Sequence, residues 1–246
     1  MRACSRGSRR SQENRAIRFG NVRQGRRREA PPPLSGLTLA ILTVSRLYGS
    51  GGSEVAAIVA KTLGWSLLDN AVVDAVATRM GLSVAEVQAR EERVPSLVER
   101  LTAAMAMGSQ EWASPIAAAK RPTDEQLIEV TRHIIEEAIV RGPVVVVGRG
   151  AQEMLAERED TLHVFCYAPR KALIARTMQR EGVSADEAAS LVDETNKRRD
   201  QWVRLHWERD RRAHENYDLS VNTERLGIDG AADLIVIAAK KRFGVG

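Results

Sequence analysis

The sequence predicts an α/β fold built on a parallel sheet. Three observations carry that expectation. Short aliphatic runs alternate with longer helical patterns, a glycine-rich turn directly follows the first of those runs, and an aromatic content of 4% leaves the core to aliphatic side chains. Strands that alternate with helices pair in parallel, because each helix supplies the crossover back to the same edge of the sheet. With 246 residues, 43% of them hydrophobic, there is apolar material for one core and a smaller attached portion, and whole-chain disorder is excluded.

Residues 1–36 show no periodicity and end in Pro31-Pro32-Pro33, which predicts a disordered basic leader, or a mis-assigned start, ahead of a folded unit over 37–246. Residues 1–33 hold ten arginines against Glu13 and Glu29, more than the whole net charge of +5, so the remainder of the chain is slightly acidic. That removes most of the charge argument for a nucleic-acid partner. Cys4 and Cys166 are isolated and make neither a disulfide framework nor a zinc set. No run reaches the roughly 18 apolar residues of a membrane span. Arg9-Arg10 is followed by a long polar stretch before the apolar run and by no small-residue cleavage site, so no signal peptide is expected. The expected compartment is the cytoplasm.

Leu37–Val44 reads as a strand buried on both faces and Ser45–Gly52 as the turn after it. A helix over Ser53–Leu63 places Val55, Ile58, Val59 and Leu63 on one face, with Gly64 as its stop. Trp65–Leu68 reads as a second strand. Residues 70–120 are Ala-rich and helical, although 102–120, with Met105, Met107 and Gly108, lacks a clean period. Thr123-Asp124-Glu125-Gln126 is a capping box that starts a helix with Leu127, Ile128, Ile134, Ile135 and Ala138 inward, ending at Gly142-Pro143. Val144–Val147 and Leu162–Cys166 are strands, the second followed by a helix from Pro169 to about Arg180. Ser184 and Glu187 cap a long helix that becomes densely basic between Lys197 and Arg212; Leu219–Val221 is a last strand and Ile228–Ala239 a closing helix. There are no internal repeats.

The turn Ser45-Arg46-Leu47-Tyr48-Gly49-Ser50-Gly51-Gly52-Ser53-Glu54 has the makings of a phosphate cradle: glycines turn backbone N–H groups toward one point, and a helix N-terminus adds its dipole. A glycine-rich turn without a ligand is the plain alternative. The P-loop pattern G-x-x-x-x-G-K-[ST] is only half met. Gly52 stands where the lysine belongs, Ser53 where the Mg²⁺-ligating serine belongs, and Arg46 where the first glycine belongs. A charged hydrogen bond to phosphate contributes about 1.5–3 kcal/mol, and Arg46, in the same loop, is the candidate to supply the missing charge. Asp69, after the second strand, is either a helix N-cap or a ligand-facing carboxylate. Arg149, between two glycines at the end of a buried valine strand, has little structural reason to exist there, and its planar fork suits a phosphate. A run such as Lys197, Arg198, Arg199, Arg204, Arg209, Arg211 and Arg212 is usually a solvated helix face, and two or three of these arginines are read so. The four histidines are scattered and form no triad or metal set.

Together, TVSRLYGSGGSEVA, VVVVGRGAQ, RTMQREGVSADEA and NYDLSVNTERLGID resemble the cytidylate kinase-like family over about residues 37–242. The resemblance implies a P-loop fold of three layers: a five-stranded parallel sheet, a helical region for the monophosphate, and an Arg-rich helical lid over about 195–216. It implies transfer of a phosphoryl group from ATP, with Mg²⁺, to a nucleoside monophosphate, CMP or dCMP by analogy. Gly49, Ser50, Gly51, Gly52 and Ser53 would then hold the donor phosphates, and Ser53 the metal. Asp69, Arg149 and Arg176 would face the acceptor, and Arg46, Arg199 and Arg204 the transferring group. Trp202 and Trp207 would be packing residues, and Asn222, at the end of the last strand, would lie near the donor base. The missing P-loop lysine leaves a second reading open, a nucleotide-binding regulatory protein with weak or no transferase activity.

Overall fold

The computed structural model describes residues 39–83, 86 and 123–245. Among them, five parallel strands form one sheet in the order β2-β3-β1-β4-β5. In chain order the elements are β1 (Ile41–Arg46), α1 (Gly52–Leu63), β2 (Ser66–Leu68), α2 (Asn70–Met80), α3 (Asp124–Arg141), β3 (Val144–Val147), α4 (Ala151–Met154), β4 (Thr161–Tyr167), α5 (Arg170–Glu181), α6 (Ala185–Trp207), β5 (Leu219–Asn222) and α7 (Thr223–Phe243). No described helix is long and apolar enough to cross a membrane.

Both faces of the sheet centre are covered, so neighbouring residues of one strand enter different cores. Val145 and Val147 join Leu42, Val44, Val164 and Val221 against α1 and α7. Val144 and Val146 join Ile41 against Ile135 and Ile139 of α3. That two-sided burial is why the strand reads as four valines without alternation. Each contributes about 1.5–3 kcal/mol of burial free energy.

The capping boxes at Thr123/Gln126 and Ser184/Glu187 are both formed, and Gly64 ends α1 in the left-handed conformation. Along α3, Ile139 rather than Ala138 completes the buried stripe. Among the boundaries that differ from expectation, two bear on the site. β1 runs on through Ser45 and Arg46, because β4 offers Phe165 and Cys166 as ladder partners. α7 begins at Thr223, ahead of the expected Ile228, and kinks at Gly227. Asn222 is its N-cap, accepting from the N–H groups of Glu224 and Arg225, which occupies the side chain otherwise considered for a donor base. The leader over 1–36 and the helical reading of residues 87–120 lie outside the described residues.

All five strands point their carboxyl ends to one edge, where ligands of open parallel sheets bind. The segments leaving β1, β2 and β3 meet there.

Candidate functional site

β1 ends at Arg46, and Leu47 N–H ties the chain to Cys166 O of β4 at 3.0 Å. Ser50 N–H then turns back to Leu47 O at 3.1 Å, and Gly51 takes the N-cap of α1 at φ 76, a conformation that resists a side chain. The first intrahelical bond runs from Val55 N–H to Gly51 O. The N–H groups of Gly52, Ser53 and Glu54 therefore sit in the helix's first turn without an intrahelical acceptor, where an anion is stabilised. Ser50 is buried, and its Oγ has no hydrogen-bond partner.

Arg46 crosses from this loop to the turn after β3. A Cβ on Gly52 would stand 2.6 Å from Arg46 Cβ and 3.1 Å from its Cγ, and one on Gly148 would run into the Arg46 guanidinium. The stem of Arg46 thus lies over Gly52 and its head over Gly148. The space a lysine would need at position 52 is filled by Arg46. Its Nη2 lies 3.7 Å from Asp69 Oδ1, both side chains being mostly buried. Asp69 occupies the N-cap position of α2, yet its side chain makes no cap hydrogen bond; the carboxylate is turned to Arg46.

Gly148, Arg149 and Gly150 are three successive left-handed residues, at φ 68, 59 and 66. For a residue with a side chain that conformation costs about 1–2 kcal/mol, which marks Arg149 as held for a reason other than stability. Burial first, and then the neighbouring Arg46 charge, pull its guanidinium down to about 10, with Asp69 opposing. It remains a cation at neutral pH, and a bound anion would offset both costs. Arg46, Arg149, Arg199 and Arg211 border one cavity of about 90 Å³. Arg46 and Arg199 also border a second of about 90 Å³, beside Gly49–Ser53.

The structure therefore groups Arg46, Gly49–Ser53, Asp69, Arg149 and Arg199, sets Arg204 apart from them, and puts Arg176 against the Gly49–Ser53 loop rather than beside Arg149. Arg204 is exposed and lines an outward cavity with Lys197 and Gln201. Five residues along a helix rotate by about 140°, so Arg199 and Arg204 do not share a face, whereas Trp202 and Val203 do lie beside Arg199. Arg176 is not on the Arg149 side. It donates to Ser50 O (3.2 Å), Thr223 Oγ1 (3.0 Å) and Thr223 O (3.0 Å) and pairs with Glu224, bracing the first loop against α7.

The basic stretch over 195–216 is folded onto the body of the protein. Trp202 is buried with Val72, Val76 and Leu127, Trp207 packs on the same cluster, and Arg209 pairs with Glu153 at 3.5 Å. Both tryptophans are packing residues, as expected, although Trp202 also faces the Arg149 cavity. Three site residues were not legible in the sequence. Tyr48 places its ring 4.8 Å from the Arg180 guanidinium and 5.7 Å from that of Arg199, and its hydroxyl donates to Glu181 at 3.0 Å. Such stacking holds cations at the loop mouth. Arg211 joins the site from beyond the end of α6. No local motif distinguishes Tyr48, Arg180 or Arg211, because the contacts that bring them to the site, Arg180 to Tyr48, Tyr48 to Glu181 and Arg211 to Arg46, join residues far apart in the chain.

The sequence model of the cytidylate kinase-like family matches residues 41–225. A curated uronate isomerase from Corynebacterium glutamicum is 24% identical over 139 residues, 56% of this chain and 27% of that protein, so the match spans about a quarter of that relative's length. Among solved structures, an uncharacterized protein from Eubacterium ventriosum superposes with a TM-score of 0.59 at 19% identity, covering 82% of this chain and 98% of that one. A shikimate kinase from Bacteroides thetaiotaomicron reaches 0.48 at 13% identity over 82% and 98% of the two chains.

Proposed function

Because the chain belongs to the cytidylate kinase-like family, we propose that it transfers the γ-phosphoryl group of ATP to a nucleoside monophosphate, CMP or dCMP. A P-loop-type parallel α/β fold and the family together give kinase-like nucleotide binding. The observation that carries the reaction is Arg46. It lies between the loop suited to the donor phosphates and the turn that presents Arg149, on the space cleared by Gly52 and Gly148.

The N–H groups at the start of α1 hold the donor phosphates, and Arg149 grips the acceptor phosphate with its planar fork. Arg46 and Arg199 border both sides and neutralise charge that builds as the acceptor oxygen bonds to the γ-phosphorus and the bond to the leaving ADP oxygen breaks. Asp69 keeps Arg46 turned toward the acceptor. The oxygen donors beside the loop, Ser53 Oγ with the Glu54 carboxylate reaching back over Gly51, suit Mg²⁺ arriving with the nucleotide. Held there, Mg²⁺ would supply positive charge to offset that of the donor phosphates. Catalysis is positioning and charge neutralisation, with no covalent enzyme intermediate.

The test is ADP release by the full chain from ATP–Mg²⁺ against a panel of ribo- and deoxyribonucleoside monophosphates, with Arg149→Ala alongside. Release that depends on one acceptor and is lost in the variant supports the reading and names the substrate. Tight ATP binding without acceptor-dependent release favours a regulatory nucleotide-binding protein, a reading suggested by the absent lysine. No nucleotide binding defeats both.

A further inference from the structure

Arg211 is 6% exposed, and its donors are taken up by protein. Its Nε and Nη2 converge on Asp200 Oδ1 at 2.8 and 2.7 Å, and its Nη1 donates to the carbonyl oxygen of Arg46 at 2.9 Å. Asn196 Oδ1 lies 3.5 Å from Nη2 and itself accepts from Tyr48 N–H at 3.0 Å. Arg212 holds the other oxygen of Asp200 at 2.7 Å, and Tyr217 OH donates to Arg211 O at 2.7 Å, so the head and the backbone of Arg211 are both fixed.

The residue these contacts reach is the one on which the proposed reaction turns. Arg46 runs past two glycines at which a Cβ would collide with its stem or its head. Its direction is set by the plane of the peptide after it, and that plane is defined by two bonds: Leu47 N–H to Cys166 O on one side, Arg46 O to Arg211 on the other. Arg211 therefore differs from an arginine that binds phosphate. Its Nε and Nη2 are held by Asp200, which offsets its charge, and its remaining arm, Nη1, holds main chain.

We infer that Arg211 is a positioning residue that acts through Arg46: anchored on Asp200, it fixes the Arg46 carbonyl and so aims the Arg46 side chain along the corridor between Gly52 and Gly148. The inference rests on the phosphoryl-transfer reading of the site for its kinetic consequence, but not for its structural one.

The experiment uses the full chain as Arg211→Ala, Arg211→Lys and Asp200→Asn. Kinetics with both substrates is measured beside ¹⁵N NMR of the arginine Nε–Hε groups, the Arg46 signal being assigned by its loss in Arg46→Lys. In Arg211→Ala, kcat falls about 10²-fold, the size expected of a misplacement near 1 Å, while the KM of each substrate moves less than about threefold. The Arg46 signal shifts or broadens in the same variant. Arg211→Lys recovers part of kcat, and Asp200→Asn lies between. An unchanged Arg46 signal in a folded Arg211→Ala protein overturns the inference. So does a rise in a nucleotide's KM at constant kcat, which would make Arg211 a phosphate ligand. If Arg211→Ala does not fold, the other two variants carry the same readouts. If the wild-type protein transfers no phosphoryl group, the kinase reading fails by itself, and the NMR comparison still decides the role of Arg211.

Discussion

The turn that leaves β1 offers an anion backbone N–H groups at the start of a twelve-residue helix, whereas the turn that leaves β3 offers one side chain, Arg149, at φ 59 before a helix of four residues. The first is relaxed: its left-handed positions are glycines, and its amides point where a helix dipole already favours negative charge. The second is strained, because its middle residue carries a side chain in that region. The two turns share one concession, a missing Cβ that makes room for Arg46. The difference teaches that charge at this edge is not spread evenly. Permanent partial charge sits on the β1 side, full charge on the β3 side, and a single arginine connects them.

The strongest way to break that division is to refill the corridor. Gly148→Ala or Gly52→Lys drives Arg46 off its path and lowers kcat by about 10²–10³-fold, the usual cost of losing one preorganised charge-stabilising group. The double variant Arg46→Ala/Gly52→Lys, freed of the collision, recovers about tenfold over Gly52→Lys alone, the coupling expected of residues that share one space. Steady-state kinetics on the four proteins checks both. A Gly52→Lys enzyme with wild-type kcat would end the account of Gly52.

Next in size, Arg149→Gly separates strain from function. It raises the acceptor KM by about 10–100-fold, equivalent to one charge-assisted phosphate contact, and leaves ATP binding unchanged. Relief of about 1–2 kcal/mol of left-handed strain outweighs the roughly 0.5–1 kcal/mol entropic cost of a glycine, so the variant unfolds at slightly higher denaturant than wild type. Equal or lower stability in a urea titration would show that the β3 turn is not strained.

Around α6, Arg199→Ala lowers kcat by about tenfold or more, while Arg204→Ala stays within about twofold because it points away. Equal losses in the two variants would contradict the helix phase described above.

The smallest effect is a pH dependence that belongs to the β3 side. Glu153 follows Arg149 closely and is buried, and burial raises its carboxyl above the usual range, against the opposing pull of Arg209. A folded-state value above the unfolded one means the folded protein binds more protons in between. Stability is therefore present below the unfolded value near 4.5 and falls as pH rises through the raised one. Glu153→Gln flattens that slope in thermal melts across pH 4–8; a slope unchanged by the substitution would assign it to other groups.

How far the sequence carried the fold and the site follows from where each signal lives. Val144–Val147, the two capping boxes and Gly64 were legible, because two-sided burial, reciprocal caps and left-handed stops are written in adjacent residues. Arg149 was legible for a related reason: a charge directly after four buried positions contradicts its surroundings. Arg46 was legible as a charge in the loop, but its path was not, since Gly148 lies a hundred residues further on. Arg199 and Arg204 were paired by family pattern, although the helix phase alone separates them. Arg176 and Arg211 were misplaced or missed because their partners, Thr223 in one case and the Arg46 carbonyl in the other, are brought near only by tertiary packing.

The place of β1 in the sheet has a consequence for how the chain is made. Ile41 pairs with Val144 on one side and Thr161 on the other, so the central strand is synthesised more than a hundred residues ahead of both its neighbours. At ~5–20 residues per second on the ribosome, β1 and α1 wait on the order of 5–20 s with Leu42, Val44, Val55 and Val59 unpaired. Such non-local parallel pairing is slow to form and exposed to aggregation meanwhile. The nascent segment that becomes the heart of the sheet is thus one a chaperone would have to shield while its neighbours are made.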